Sequence, residues 1–377
     1  IVALLEKIME INNQLKGIDA CSSELACRPE VFGQVFRYLS DTAVICRETQ
    51  EDTLRTVFRT KNLHTTYHAG EDFFDIVDGM RAIDEAVLFC GLRRGSRLGH
   101  ALALGIDPDE YYKFKGQKLM LSKQTLLDDI VWMLCKAEEF GCQIEGSLKS
   151  RLERKYYDLY DEIFRSKFPT TVHDYYQSWK LRGDKPELYR ENLNRAEKEQ
   201  FQKKITDTQL ERFDRYQIND RVGNDLRKNY RYRYIYASYH FDKQVRIKGS
   251  EITEFKVGQS YSQLVRKLQD SMIRQLVGVG IGIETNPSSN YLIGTIRKYE
   301  EHPILRFNAR KLREVEAGGS LSVSINTDDQ GVFDTLLENE YALMALALKK
   351  SKEKDSGFKY DIEDVYEWID YVRRMGI

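Results

Sequence analysis

The sequence predicts an α/β fold in which a parallel sheet is covered by helices. Short, nearly continuously apolar segments rich in β-branched and aromatic residues alternate with segments whose apolar residues recur at helical spacing. Polar, titratable residues gather where those strands end: Asp19 and Glu24, His68 and Glu71, His100, Asn286 to Asn290, and Asp328 with Asp329. In the barrel version of this class, reactive side chains sit at such strand ends. The 377 residues, 41% hydrophobic and 31% charged, leave room for two or three domains or for one large barrel carrying an insertion, and exclude a disordered or fibrous chain.

Residues 1–15 read as a helix and residues 16–21 (KGIDAC) as a short strand followed by small polar residues. A helix is expected around 29–39. Residues 63–68 (LHTTYH) have the character of a buried strand, and Ala69-Gly70 gives it a sharp exit. In the next segment Phe73, Ile76, Val77, Met80, Ile83 and Val87 share one helical face. Residues 96–104, 278–285 and 320–327 are again strand-like. The last is followed by a helical run over 332–348, and 362–375 closes the chain as a helix.

Between 109 and about 274 this rhythm breaks. Residues 119–140 are helical by spacing, and charged, tyrosine-rich sequence such as RKNYRYRYIYASYHF follows, with a hairpin possible near 231–256. A connection this long within a barrel is expected to be an inserted, mainly helical subdomain. The expected organisation is therefore 1–109 for the first part of the barrel, 110–275 for the insertion, and 276–377 for the last part and terminal helices. The exposed remainder of the insertion, with aromatic and Arg enrichment over 230–239, is a candidate subunit interface.

Balanced charge, 58 basic against 59 acidic residues, gives no global pull toward nucleic acid or an anionic membrane. No apolar stretch approaches the ~20 residues that span a bilayer, and the start lacks the features of a secretory signal. The six cysteines form neither a CxxC pair nor a dense framework, as in reduced cytosolic proteins, so a cytoplasmic location is expected.

Four motifs end successive strands: YHAGE (67–71), RLGHA (97–101), ETNPSSN (284–290) and SINTDDQ (324–330). Each is weak alone. His100 could be a satisfied core histidine, and Asp328 and Asp329 could cap the following helix, a role worth ~1 kcal/mol. Together and in this order they resemble the metal-dependent adenosine deaminase family, and GIDACSSE (17–24) is similar to that family's fourth strand. The resemblance implies a (β/α)8 TIM-type barrel of which strands four to eight are present. It also implies zinc (Zn2+) as cofactor and an adenine nucleoside or nucleotide as substrate.

By that resemblance His68 and Asp328 are zinc ligands, and Glu71 is the proton shuttle. His100 faces the metal-activated water, and Asp329 hydrogen-bonds the purine's five-membered ring. Displacing the amino group at purine C6 requires a strong nucleophile at neutral pH, which bound zinc supplies by lowering its water's pKa to ~7. The ring nitrogen beside C6 must be protonated as water adds. The other zinc deaminase architecture, marked by HxE and PCxxC, is absent.

The sequence departs from the family in three places. No His-x-His pair occurs among His64, His68, His100, His173, His240 and His302. This leads to the expectation that the first three strands lie upstream of Ile1, that the chain is a carboxy-terminal portion, and that it is inactive by itself; a degenerate, inactive relative is the other reading. Ser22 stands where a substrate-contacting glycine is usual, and Ala101 replaces the glycine that usually follows the histidine.

The longer match and the large insertion look like the deaminase component of the RADAR antiphage defence systems. This implies a homo-oligomeric shell and an ATPase partner. Two alternatives stay open. One is an adenylate-type nucleotide deaminase, for which Arg93, Arg94 and Arg97 are candidate phosphate ligands; the other is a non-catalytic shell or scaffold on the same fold.

Overall fold

The computed structural model describes residues 17–376 apart from 22, 26, 42–45, 51–52, 58–62, 166–168, 194–213, 295, 311, 313–319 and 354–356. The expected helix over 1–15 and the expected substrate contact at Ser22 therefore lie outside the described residues.

Five strands form one sheet: β1 (Gly17–Ile18), β2 (His64–Ala69), β3 (Arg97–His100), β4 (Gly282–Thr285) and β5 (Val323–Ile325). Their spatial order equals their chain order, and every neighbouring pair is parallel. This is the arrangement of successive barrel strands, and the mixed α/β, mostly helical fold is compatible with part of a TIM-type barrel. The longer helices are α1 (Gly33–Asp41), α2 (Ile76–Phe89), α3 (Lys123–Glu139), α4 (Gly146–Phe164), α5 (Val172–Lys180), α6 (Tyr230–Phe241), α7 (Gln259–Val279), α8 (Leu337–Lys350) and α9 (Ile362–Met375). Among the described residues, no helix is long and apolar enough to cross a membrane.

Several elements differ from their sequence expectation for identifiable reasons. The strand expected over 96–104 stops at His100 because His100 and Ala101 take left-handed backbone angles, φ 61° and 49°. The one expected over 278–285 starts only at Gly282, since α7 runs to Val279 and Gly280, at φ 81°, closes it with bonds back to Leu276. Asp334 at φ 47° interrupts the helical run over 332–348, which resumes as α8. The helix expected from 119 begins at Lys123, because Leu119 and Leu121 are buried with period two on a strand (Lys118–Ser122) and Ser122 then caps α3. The hairpin expected near 231–256 is instead α6, a helix over Lys243–Ser250, and a strand (Ile252–Lys256) that pairs antiparallel with Lys118–Ser122.

Helix α2 joins the sheet to the helices within residues 110–275. Asp75 caps its start by accepting from the Val77 N–H, and Ile76, Val77, Met80 and Ile83 are fully buried. Its charged residues Asp78, Arg81, Asp84 and Glu85 are buried too, beneath α3 and α5. Arg81 donates to Asp78, Glu85 and Asp129 at 2.8–2.9 Å, and Arg182 makes a two-pronged pair with Asp128 at 2.8 and 2.9 Å. The indole N–H groups of Trp132 and Trp179 donate to Asp84 and Glu85. One apolar core runs continuously from the sheet (Tyr67, Leu98, Ile283, Val323) through α2 into α3, α4 and α7.

Candidate active site

The candidate site residues sit at the carboxyl edge of the sheet. His68 is near the end of β2, His100 is the last residue of β3, and Asn286 and Asp328 follow β4 and β5. In a flat sheet, β2 and β5 would be three strand spacings apart, about 14 Å. Yet donor atoms of His68, His100 and Asp328 all lie within 4.8 Å of one another. The sheet must curl strongly for this. Cys21, just past β1, likewise lies in the field of Asp328 and Asp329 past β5; burial first, and these carboxylates with Asp19, push its thiol pKa up.

Local backbone features aim these side chains. His100 and Asp328 both hold φ near +60°, a conformation non-glycine residues adopt rarely and chiefly where surrounding packing enforces it. Gly99 pairs with His68 across β2 and β3, and the His68 ring lies directly over it: a Cβ at Gly99 would sit 2.8 Å from His68 Cγ and Cδ2. Gly70, at φ 84°, turns the chain between His68 and Glu71, where a Cβ would strike Ile83. Glu24 anchors the same turn by accepting from the Gly70 and Glu71 N–H groups at 2.6 and 3.2 Å. Burial raises the Glu24 carboxyl to about 8, against the pull of these two bonds.

Nδ1 of His68 is 3.2 Å from Asp19 Oδ1, so Nε2 is the ring nitrogen that Asp19 does not engage. Burial disfavours the His68 cation, but Asp19, together with Glu24 and Asp328, outweighs it and the pKa is raised. His100, 1% exposed, places Nδ1 3.0 Å from Glu71 Oε1 and Nε2 3.7 Å from Asp328 Oδ2. Asn290 donates its amide N–H to Glu71 Oε1 at 2.8 Å and lies 2.7 Å from His100 Nδ1. Asp329 is exposed and its side chain does not cap the following helix, although it occupies the N-cap position.

The structure thus brings together His68, Glu71, His100 and Asp328, with Asp329 at the rim. The N/O donor set of two imidazoles and a carboxylate could hold a metal ion.

Residues 264–357 match the adenosine deaminase family model. The adenosine deaminase match runs from α7 through β4, Asn290, His302 and β5 to α8, and so takes in Asp328 and Asp329. It supports a deaminase-like hydrolase acting on a nucleoside or nucleotide. No curated protein matches the chain.

The three arginines considered as phosphate ligands lie elsewhere. Arg93 and Arg94 precede β3 and Arg97 opens it, at the sheet edge opposite the site. Arg93 donates to the Ser40 carbonyl, and Arg97 pairs with Glu284 at 2.9 Å. Sequence reading gave no individual role to two contributors. Asn290 was visible only as part of the ETNPSSN motif, and the buried His302 lies in a loop with no local signature.

Proposed function

We propose that this protein catalyses the zinc-dependent hydrolytic deamination of an adenine nucleoside or nucleotide to its inosine form. The observation that carries this reading is the convergence of His68, His100 and Asp328 beside Glu71 at the carboxyl edge of a curled parallel sheet, in a chain whose residues 264–357 match the adenosine deaminase family model. In the reaction a C6–O bond forms and the C6–N bond breaks; of the water's two hydrogens, one ends on the ring nitrogen beside C6 and the other leaves in ammonia.

His68 and Asp328 would hold the zinc. The metal is consistent with the donor set, and the Asp19 contact on Nδ1 orients the His68 ring with Nε2 free, the usual outer arrangement for a ligating histidine. When bound, zinc supplies a water acidic enough to attack at neutral pH. Glu71 carries the proton that moves to the purine ring nitrogen. Its Oε1 is engaged by Asn290 and His100, which leaves Oε2 for that proton. His100 sits where it can orient the attacking water, and exposed Asp329 at the rim hydrogen-bonds the purine's five-membered ring, its carboxyl O–H donating to N7.

The longer resemblance to the RADAR deaminase component supports a role in antiphage defence, within a homo-oligomer assembled through the exposed part of 110–275 and working with an ATPase partner. The decisive experiment incubates the full-length protein with adenosine, AMP and ATP, follows inosine products by chromatography, and measures metal content by mass spectrometry. Metal at about one per chain with an inosine product is expected. A metal-free protein that leaves all three substrates unchanged refutes the reading and favours a scaffold.

A further inference from the structure

Glu71, the residue assigned to proton transfer, is held at two separate points. Its carboxylate lies 2.8 Å from Asn290 Nδ2 and 3.0 Å from His100 Nδ1, and Asn290 Oδ1 is in turn 3.1 Å from Nε2 of the buried His302. Its backbone is held from another part of the chain. The Glu71 N–H donates to Glu24, which lies 47 positions earlier in the turn after β1.

The shape of the turn between β2 and Glu71 explains that contact. Gly70 takes φ 84°, and a Cβ there would lie 2.7 Å from Ile83 Cδ1, so both the left-handed backbone and the close packing require glycine. Such a turn points successive N–H groups into one concavity that receives an oxygen ligand. Here the N–H groups are those of Gly70 and Glu71, and the chain itself supplies the oxygens. Glu24 Oε2 accepts from Gly70 at 2.6 Å and from Glu71 at 3.3 Å, and Glu24 Oε1 accepts from Glu71 at 3.2 Å. The Gly70 carbonyl is fixed as well, accepting the Ala103 N–H at 2.9 Å. The turn is thus clamped between the segments that follow β1 and β3.

We infer that Glu24 is a positioning residue for the proposed proton transfer: it fixes the backbone from which Glu71 reaches the purine ring nitrogen. Asn290 and His100 hold only the carboxylate end of Glu71, and a flexible side chain held at its tip can make the same contacts from several backbone positions. Pinning the Gly70 and Glu71 N–H groups removes that freedom. Because Glu24 Oε2 alone reaches both N–H groups, the clamp needs an oxygen at that point and not a particular charge on Glu24.

This inference rests on the deaminase reading for its catalytic meaning, and amide hydrogen exchange on the full-length protein tests its structural content without turnover. In Glu24→Ala the Gly70 and Glu71 amides should exchange at least about 10-fold faster while those of α2 keep their rates. Inosine formation should show kcat lowered about 10- to 100-fold, with KM and zinc content changed less than about 3-fold. Glu24→Gln keeps an oxygen for both N–H groups and should hold kcat within about 5-fold of wild type. Glu24→Asp, too short to reach the turn, replaces Glu24→Ala if circular dichroism shows the latter unfolded, with the same expectations. Unchanged exchange at Gly70 and Glu71, or a folded Glu24→Ala protein with wild-type kcat, overturns the inference. So does a loss of zinc in proportion to the loss of activity, or a Glu24→Gln protein as impaired as Glu24→Ala. If the two amides respond as expected but the wild-type protein deaminates no adenine compound, the functional reading fails and the clamp stands.

Discussion

Gly99→Ala is the most informative single change at this site, because it alters no side chain that touches metal or substrate. The added Cβ would lie 2.8 Å from His68 Cγ and Cδ2 and 2.9 Å from Nδ1. Restoring the shortest ordinary contact, about 3.4 Å, moves the imidazole by about 0.6 Å, more than the ~0.2 Å tolerance of a metal–ligand distance. The push also acts on the 3.2 Å contact between Nδ1 and Asp19. Losing that outer support should weaken metal binding about 10- to 100-fold, with an overpacking cost of about 1–3 kcal/mol. Competition against a fluorescent zinc chelator measures the first, and thermal unfolding followed by circular dichroism the second. Gly278→Ala is the control: its Cβ meets nothing within 4 Å, and it should leave metal affinity unchanged. A folded Gly99→Ala protein with wild-type zinc affinity would show that His68 does not ligate from this position.

Other substitutions probe separate links. Glu71→Gln should keep the fold and most metal affinity while lowering turnover at least ~100-fold, since an amide cannot deliver the proton; near-normal inosine formation would remove Glu71 from the shuttle role. His68→Ala and Asp328→Ala should each abolish stoichiometric metal by mass spectrometry, and retention in both would place the ligands elsewhere. Arg81→Ala takes the cation from buried Asp129, leaves Asp78 and Glu85 with Arg28 as their remaining cation, and should cost about 3–5 kcal/mol in denaturant unfolding. Burial, then the charges of Arg182 and Arg246, lowers the His240 pKa to about 3, so the unfolded chain binds the extra proton below its ordinary value of 6.5. Stability should therefore be intact above pH 6.5 and fall by up to about 1.4 kcal/mol per unit as pH drops toward 3. His240→Phe should flatten that decline, and an unchanged slope would count against a neutral His240.

How legible the molecule is from its sequence depends on whether a feature is local. The strand-end motifs were readable because each is a contiguous run whose polar residues follow an apolar strand, and His68, Glu71, His100 and Asp328 do converge. The pairing of Lys118–Ser122 with Ile252–Lys256 has no such signature: its partners are separated by the whole of α3 to α6, and the nearer tyrosine-rich segment competed for the hairpin reading. The charged face of α2 illustrates the same limit. Asp78, Arg81, Asp84 and Glu85 would ordinarily face water, and only Asp128, Asp129 and Arg182, roughly 50 to 100 positions later in the chain, reveal why they are buried. His302 went unnoticed because its meaning lies in what Asn290 touches.

The ion network beneath α2 also constrains how this sequence can change. Arg81, Asp128, Asp129 and Arg182 each satisfy charges contributed by other elements, so replacing one is harmful while its partners remain, whereas replacing several together by apolar residues of similar volume can be neutral or favourable. Mutational paths through this region are thus rugged: single steps descend sharply and only coordinated ones cross. A lineage carrying residues 110–275 would tend to keep them for that reason alone, whatever their present use, because excising them removes Asp129 from Arg81 and both Trp132 and Lys136 from Asp84 while leaving Arg81 and Asp84 in place. Any attempt to reduce the protein to its sheet and covering helices should redesign the outer face of α2 in the same step.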